Sequence, residues 1–257
     1  MAAPSRIVIK IGTGVLTRDD RIRLDEPAFV EIARAVAALV ADGWRVVLVS
    51  SGAVGAGLME FGRRERPEDT PTLQAFAAIG QARLMQTWRT HLQVRDLAGA
   101  QLLLTYGDLD SEERRQQILR TLDKLLEMGN VVPIINENDS VAIEELRFGD
   151  NDALSARVAV LAGASLLVLL TSVDGLLDMS QPGPGRLVPV VDDPAAVEAM
   201  VRDSKGGLSV GGMRTKLQAV QLARTHGIPA IIAHGKHADR LPGIVAGTDA
   251  RCTRFTV

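Results

Sequence analysis

Two carboxylates and one amide occupy successive positions in residues 148–155, where Asp150, Asn151 and Asp152 follow a glycine. An apolar stretch with helical spacing begins directly after them at Ala153. An oxygen atom of Asn or Asp can accept a hydrogen bond from the free N–H groups of a first helical turn, and one such residue is enough for a cap. Three of them indicate either an over-provided cap or a site for a small charged ligand.

A second polar cluster follows the apolar run of residues 131–135, which has the length of a buried strand. The cluster covers residues 136–140 and includes the carboxylate of Asp139. Since one cluster is expected at the end of a strand and the other at the start of a helix, the two together predict one site for a small charged ligand.

Two glycine-rich segments each carry a lysine. Lys10 and Gly12 come directly after an apolar run, and the glycines at 211–212 precede Lys216 at a predicted helix start. Neither segment matches the dinucleotide-binding or the Walker pattern, so each alone is compatible with an ordinary turn. Together they offer backbone N–H groups for phosphate oxygens and two cations that can stabilise charge during phosphoryl transfer.

The sequence offers no Ser-His-Asp or Cys-His arrangement at the predicted strand ends. A carboxylate acceptor would need no general base, because its pKa of about 4.3 leaves it ionised at neutral pH. The four histidines and the single Cys252 do not have metal-ligand spacing, so we expect no metal held by protein ligands.

Short continuous apolar runs alternate with helical patterns along the chain. Such runs are typical of strands that are covered on both faces of a parallel sheet. The predicted strands lie at residues 7–9, 46–49, 100–104, 131–135, 166–170 and 230–233. This order predicts an α/β fold, a three-layer sandwich with a mainly parallel central sheet. Ligands of such sheets bind beyond the carboxyl ends of the strands, where each polar cluster is expected.

The chain has 257 residues and a net charge of -2, with 29 basic and 31 acidic residues that are well mixed. We therefore expect neither nucleic acid nor a membrane as a partner. The sequence has no run of about eighteen apolar residues and no signal-peptide pattern, which predicts a cytoplasmic protein. Without an internal repeat or a linker, residues 1–257 are expected to form a single domain.

Five segments resemble the glutamate 5-kinases of the amino acid kinase superfamily, in the same order along nearly the whole chain. They are residues 9–13, 51–53, 135–139, 148–155 and 211–217. The resemblance implies an amino acid kinase-like fold, with the glutamate site mainly in the N-terminal part and the ATP site mainly in the C-terminal part.

The resemblance also implies an activity. This is ATP-dependent phosphorylation of the side-chain carboxylate of L-glutamate to glutamyl 5-phosphate, the first step towards proline. Mg²⁺ is implied as the companion of ATP. Family members are usually homo-oligomers, so a dimer or tetramer is expected, and proline is a possible feedback inhibitor.

Residue roles follow from the same resemblance. Lys10 and Lys216 would stabilise the transferring phosphoryl group, and Asp152 would orient both lysines. The implied glutamate-binding residues are Ser51, Gly52, Asp139, Asp150 and Asn151. The implied ATP-binding residues are Lys10, Gly12, Thr171, Ser172, Gly211, Gly212, Met213, Arg214, Thr215 and Lys216.

The sequence departs from the family in three places. Ser172 stands where the family commonly has Asp, and Val210 stands where it favours Thr, which bears on nucleotide contacts. Many members also carry a C-terminal domain that resembles an RNA-binding fold, and we expect this chain to lack it because the sequence ends at Val257.

Two other functions stay open from the sequence alone. One is a kinase of the same superfamily that acts on acetylglutamate, aspartate, carbamate or UMP. Asp139 and Asp150 argue against it, since acidic partners suit a free α-ammonium group. The other is a non-catalytic sensor of an amino acid or a nucleotide, against which the presence of both lysines argues.

Overall fold

The computed structural model describes residues 5–18, 20, 22–63, 65–142, 151–179, 185–194, 196–197 and 212–257. The strands among these residues are β1 (Arg6–Ile11), β2 (Arg45–Ser50), β3 (Ala98–Leu104), β4 (Val131–Glu137), β5 (Leu166–Thr171), β6 (Leu177–Asp178), β7 (Arg186–Leu187), β8 (Val190–Val191), β9 (Ala230–His234) and β10 (Cys252–Phe255). The α-helices are α1 (Thr13–Leu16), α2 (Glu26–Ala41), α3 (Ala53–Glu60), α4 (Thr70–Gln93), α5 (Tyr106–Asp110), α6 (Glu112–Glu127), α7 (Asn151–Leu161), α8 (Met213–Thr225) and α9 (Leu241–Ala246). A 3₁₀ helix spans Gly235–Arg240.

One twisted sheet organises these elements, with the strand order β3-β4-β2-β1-β5-β9-β10-β8. Within it, β9 and β10 are antiparallel, and the other described pairs are parallel. The strands β6 and β7 form a separate antiparallel pair. Because β1, β2, β4 and β5 run in the same direction, their carboxyl ends meet at one edge of the sheet.

Helices cover both faces of the sheet, as the alternation of side chains in β1 demonstrates. Ile7 and Ile9 face the same hydrophobic layer as Phe29 of α2 and Trp88 of α4. Val8 points to the opposite layer, which also contains residues of α6, α7 and α8. Since successive side chains of a strand point to opposite faces, a strand that is apolar throughout must be covered on both sides. The predicted three-layer sandwich with a mainly parallel sheet is confirmed.

Residues 51–57 correct one expectation from the sequence. The glycines of this segment predict a turn after the strand expected at residues 46–49, but within residues 51–57 the structure has only Gly52 in a left-handed conformation, with φ of +103°, and α3 begins at the next residue. The glycines inside the helix have a packing role. A Cβ atom on Gly57 would lie 2.0 Å from the Phe76 carbonyl oxygen, and one on Gly80 would lie 1.8 Å from the Ala53 carbonyl oxygen. Helices α3 and α4 therefore lie in contact at their backbones.

Gly80→Ala should separate these two helices. The added methyl group would collide with backbone atoms of α3, which cannot rotate away as a side chain can. We therefore expect a loss of about 1–3 kcal/mol in the free energy of unfolding. Urea denaturation measures it. Gly14→Ala is the control, because a Cβ there would meet nothing within 4 Å and should not destabilise the fold. Equal stability of both variants would contradict the close approach of α3 and α4.

Two other expectations fall on or near residues that the structure does not describe. The weakly predicted hairpin at residues 140–148 lies mostly outside the described residues. The short helix expected from Asp193 is described only in part. Among the described helices, none is both long enough and apolar enough to cross a membrane.

Candidate active site

Two lysines from distant parts of the chain contact one carboxylate. The Lys10 Nζ atom lies 2.5 Å from Asp152 Oδ1, and the Lys216 Nζ atom donates a hydrogen bond of 3.0 Å to Asp152 Oδ2. All three side chains are buried, with exposed fractions of 3% for Lys10, 0% for Asp152 and 6% for Lys216. The three charged groups sum to one positive charge. Two ammonium groups held on one carboxylate are suited to an anion, because they are preorganised donors of positive charge.

Three elements that end or begin at the same sheet edge place these groups. Lys10 lies near the carboxyl end of β1, Asp152 lies in the first turn of α7, and Lys216 lies in the first turn of α8. Thr215 adds a hydroxyl that donates to Asp152 Oδ2 over 3.0 Å and to the Gly212 carbonyl oxygen over 2.9 Å. The start of α8 is thereby tied to the carboxylate.

Glycines lie close in sequence to both lysines, Gly12 to Lys10 and Gly212 to Lys216. A Cβ atom on Gly12 would lie 3.7 Å from Lys10 Nζ, so the glycine keeps the space beside the ammonium open. Gly212, the N-cap of α8, has no atom within 4 Å of where its Cβ would be, and α8 has no side-chain cap. Free N–H groups at the start of a helix favour a phosphate or another anion.

The remaining predicted nucleotide-binding residues have different environments. Thr171 is half-buried at the end of β5, and Ser172 is exposed just beyond it. Met213 packs partly against the core, whereas Arg214 is exposed on the first turn of α8. Gly211 lies outside the described residues.

A pocket lies beside the lysines, at the amino end of α3. Its lining residues are Thr13, Ser51, Gly52, Ala53, Val54, Gly55, Arg66, Asn136, Asp139 and Asn151. The first turn of α3 has no side-chain cap, so its N–H groups face the pocket without one. Asn151 lines this pocket, and its neighbour Asp152 holds the lysines. The pocket and the lysine pair therefore meet at the first turn of α7.

Hydrogen bonds fix the orientation of the Asn151 side chain. Its two N–H groups donate to the Ser50 carbonyl oxygen over 2.7 Å and to Asn136 Oδ1 over 2.8 Å, and Ser51 Oγ lies 3.2 Å from the same nitrogen. Because the nitrogen of Asn151 is hydrogen-bonded to Ser50 and Asn136, the oxygen of the same amide is the atom that can accept a hydrogen bond from a ligand.

Asp139 and Arg66 give the pocket opposite charges. Burial raises the pKa of Asp139 to about 6, although the positive charge of Arg66 opposes this rise. Arg66 is exposed as a whole residue, but desolvation of its guanidinium at the pocket lowers the pKa of that group, which Asp139 opposes in turn. The raised pKa of Asp139 means that the folded state binds the proton more tightly than the unfolded chain. Ionisation of this group therefore reduces stability as pH rises towards 6.

The structure brings together the implied glutamate-binding residues that it describes, and separately the three implied catalytic residues. Ser51, Gly52, Asp139 and Asn151 share the pocket, while Lys10, Asp152 and Lys216 share the ion-pair cluster. Asp150 lies outside the described residues.

Thr13, Arg66 and Asn136 also line the pocket, and none of them was predicted as a site residue from the sequence. Asn136 opens the polar cluster after β4, so its position was a usable signal. Arg66 lies in a charged loop without periodicity, and nothing in the sequence distinguished it from a solvated side chain.

Among the residues that the structure describes, no group of three or more His, Cys, Asp or Glu side chains could hold a metal ion. The donors present are ammonium and N–H groups, which suit phosphate oxygens. A divalent cation such as Mg²⁺ is commonly held through substrate phosphates and water, with one or two protein carboxylates. The ammonium and N–H groups of the cluster thus suit phosphate oxygens.

Comparison with known proteins identifies relatives of this arrangement. Residues 5–234 match the model of the amino acid kinase family. A glutamate 5-kinase from Thermus thermophilus is 46% identical over 242 residues, which are 93% of this chain and 63% of that protein. A glutamate 5-kinase from Clostridium acetobutylicum is 40% identical over 245 residues, which are 94% of this chain and 91% of that protein. The chain thus spans less than two thirds of the first relative and most of the second.

Solved structures with low sequence identity share the fold. A carbamate kinase from Giardia lamblia bound to AMP-PNP superposes with a TM-score of 0.66 at 15% identity, covering 100% of this chain and 99% of that one. A UMP kinase from Ureaplasma parvum superposes with a TM-score of 0.65 at 15% identity, covering 98% of this chain and 100% of that one. These matches confirm the predicted amino acid kinase-like fold.

Proposed function

The chain belongs to the amino acid kinase family, and on that premise we propose that it transfers the γ-phosphoryl group of ATP to the side-chain carboxylate of L-glutamate. The observation that carries this proposal is the pair of buried lysines on Asp152, whose neighbour Asn151 lines the pocket that contains Asp139. The names of the relatives from Thermus and Clostridium support glutamate as the acceptor. The product is glutamyl 5-phosphate, which would begin proline biosynthesis.

The proposed reaction needs no proton transfer. An oxygen of the glutamate side-chain carboxylate attacks the γ-phosphorus, and an O–P bond forms while the bond from phosphorus to the β–γ bridging oxygen breaks. ADP leaves with the electron pair of that bond. Because the acceptor carboxylate is ionised at neutral pH, the main barrier is the approach of one anion to another.

The lysine pair addresses that barrier. Lys10 and Lys216 place two ammonium groups where negative charge develops on the phosphoryl oxygens and on the leaving group. Asp152 holds both amines in position, so little reorganisation is required during transfer. Mg²⁺ bound with ATP would neutralise part of the phosphate charge. We assign Gly12, Thr171, Ser172 and residues 211–215 to ATP binding.

The pocket offers a partner for each charged group on the α-carbon of glutamate. The N–H groups at the start of α3, after Gly52, and the cation of Arg66 suit the α-carboxylate. Asp139, Ser51 and the oxygen of Asn151 suit the α-ammonium group. We assign Asp150 to the same ammonium group as a second acidic partner.

A substrate panel tests the proposal. ADP formation with ATP and Mg²⁺ should be fast with L-glutamate and slow with acetylglutamate, since acetylation removes the ammonium group that Asp139 would bind. Hydroxylamine should trap the acyl phosphate as a hydroxamate. A preference for acetylglutamate, aspartate, carbamate or UMP would refute the choice of substrate. Absence of ADP formation with every acceptor would favour a sensor.

The pKa of Asp139 leads to an expected pH dependence. Only the ionised carboxylate attracts the α-ammonium group, so kcat/KM for glutamate should fall about tenfold per pH unit below pH about 6. The carboxylates of glutamate remain ionised down to about pH 4.3 and do not cause this limb. Asp139→Asn should lower kcat/KM at neutral pH and remove the limb. An unchanged limb in that variant would assign it to another group.

Three further features belong to the proposal. Proline carries the α-carboxylate and a protonated amine but no side-chain carboxylate, so it could occupy the pocket without accepting phosphate. Unchanged turnover at saturating proline would reject this inhibition.

We also propose a homo-oligomer, a dimer or tetramer, in the cytoplasm, where ATP and glutamate are available.

A further inference from the structure

Three side-chain amides form a continuous chain of hydrogen bonds from the interior to the pocket. Asn151 Nδ2 donates to Asn136 Oδ1 over 2.8 Å, and Asn136 Nδ2 donates to Gln81 Oε1 over 2.8 Å. Gln81 belongs to α4, Asn136 to β4 and Asn151 to α7. Among the described residues Gln81 does not line the pocket, and its hydrogen bonds connect it to the pocket through the other two amides.

Backbone groups fix the direction of this chain at two points. The Ser50 carbonyl oxygen can only accept, so the Asn151 atom 2.7 Å from it must be the nitrogen. The Glu137 N–H can only donate, so the Asn136 atom 2.9 Å from it must be the oxygen. The assignment of nitrogen and oxygen in these two amides therefore follows from their neighbours. Asn136 must direct its nitrogen at Gln81, which has to present its oxygen.

Gln81 adopts this orientation at a cost. Its Nε2 atom is buried and has no hydrogen-bond partner among the residues that the structure describes. A buried donor without an acceptor lowers stability. The reverse orientation would direct nitrogen at the Asn136 nitrogen and break the chain. In the observed orientation, Gln81 therefore keeps the hydrogen bond to Asn136 and leaves its own nitrogen without an acceptor.

We propose that Gln81 is a positioning residue for the amino-acid substrate. It holds Asn136, so that the Asn151 amide keeps its nitrogen on the protein and presents its oxygen to the substrate ammonium group. The inference rests on the proposed binding of glutamate. Helix α4 supports the same arrangement a second time, because Trp88 Nε1 donates to Ser50 Oγ over 2.9 Å, and the Ser50 carbonyl oxygen is the other anchor of Asn151.

The test is Gln81→Met, which keeps the length of the side chain and removes the acceptor. Without Gln81, the Asn136 nitrogen loses this partner, and Asn136 holds Asn151 less firmly through the bonds that remain at its oxygen. KM for glutamate should therefore rise about tenfold, which is the effect of one hydrogen bond to a charged group. The kcat value and KM for ATP should change little, because the lysine cluster is untouched. Gln86→Met is the matched control, since Gln86 lies exposed on the same helix and contacts Thr90.

A double variant separates positioning from a merely structural role. If Gln81 acts through Asn151, Gln81→Met should have no further effect on KM for glutamate in the Asn151→Ala background. Gln81→Glu, which keeps an acceptor oxygen, should restore KM towards the wild-type value. If Gln81→Met fails to fold, Gln81→Asn replaces it, since that side chain is one methylene too short to reach Asn136.

Each outcome decides the inference. An unchanged KM for glutamate in Gln81→Met would overturn it. So would additive effects of Gln81→Met and Asn151→Ala on that KM. A loss of kcat and of stability with no rise in KM would also overturn it, because it would indicate a merely structural role. Failure of the proposed function is distinguishable, because the unaltered protein would then not phosphorylate glutamate at all.

Discussion

Lys216→Met is expected to lower kcat about 10²–10³-fold, the usual loss when one preorganised donor to a developing charge is removed. The methionine keeps most of the buried volume, so the fold should persist. The summed charge of the cluster falls from one positive to neutral, because Lys10 and Asp152 remain. KM for ATP should therefore rise together with the fall in kcat. Steady-state and single-turnover measurements of ADP formation provide both quantities.

The control for Lys216→Met is a lysine on the surface. Lys124 lies exposed on α6 and pairs with Glu127, so Lys124→Met should leave kcat and KM for ATP unchanged. Full turnover of Lys216→Met would remove Lys216 from the proposed mechanism. Such a result would leave its contact with Asp152 as a structural ion pair.

Asp152→Asn is expected to reduce both stability and activity. It leaves two buried ammonium groups without a carboxylate between them, so the free energy of unfolding should fall by about 3–5 kcal/mol. The kcat value should also fall, because Lys10 and Lys216 lose the group that holds them. The cluster gains a positive charge, however, so KM for ATP should stay the same or decrease. This direction is opposite to that expected for Lys216→Met.

A partly exposed ion pair provides the comparison for Asp152→Asn. Asp123 lies 2.7 Å from Arg6 and is partly exposed to solvent, so Asp123→Asn should cost less than about 1 kcal/mol. Urea denaturation with and without ATP measures both variants. An Asp152→Asn protein as stable as Asp123→Asn, or one with a raised KM for ATP, would contradict the role assigned to Asp152.

Continuous apolar runs were a reliable guide to the sheet. Residues 7–9, 46–49 and 166–170 lie within β1, β2 and β5, because strands that are buried on both faces admit few polar side chains. Helix α3 was wrongly read as a turn. Its glycines lower helix propensity, but they also allow the contact with α4, and that tertiary contact decides the local structure. The short strand β10 escaped notice because only four residues form it.

The positions of the three residues in the lysine cluster could be predicted from the sequence. Lys10 follows a buried strand, and Asp152 and Lys216 open helices, so the topology of a parallel sheet places all three at the same edge. The resemblance to glutamate 5-kinases, which the relatives bear out, supplied the roles that topology alone does not give. Those roles are the subject of the variants above.

The chain of amides was not predictable from the sequence. Gln81 lies among the apolar residues of α4, and a helical pattern marks only which side chains are buried. The role inferred for it depends on the Ser50 carbonyl and the Glu137 N–H, whose positions relative to Gln81 exist only in the folded protein. Arg66 was not predicted as a pocket residue for a related reason. A loop has no periodicity that distinguishes a residue lining a pocket from a solvated one.

The most direct test of the account follows an oxygen atom from glutamate into phosphate. Glutamate labelled with ¹⁸O in its side-chain carboxylate is incubated with the protein, ATP and Mg²⁺, and hydroxylamine then cleaves the acyl phosphate at carbon. If the carboxylate attacks phosphorus beside Lys10 and Lys216, the inorganic phosphate released should carry one ¹⁸O atom by mass spectrometry. Phosphate released without the label would mean that water, and not the carboxylate, receives the phosphoryl group.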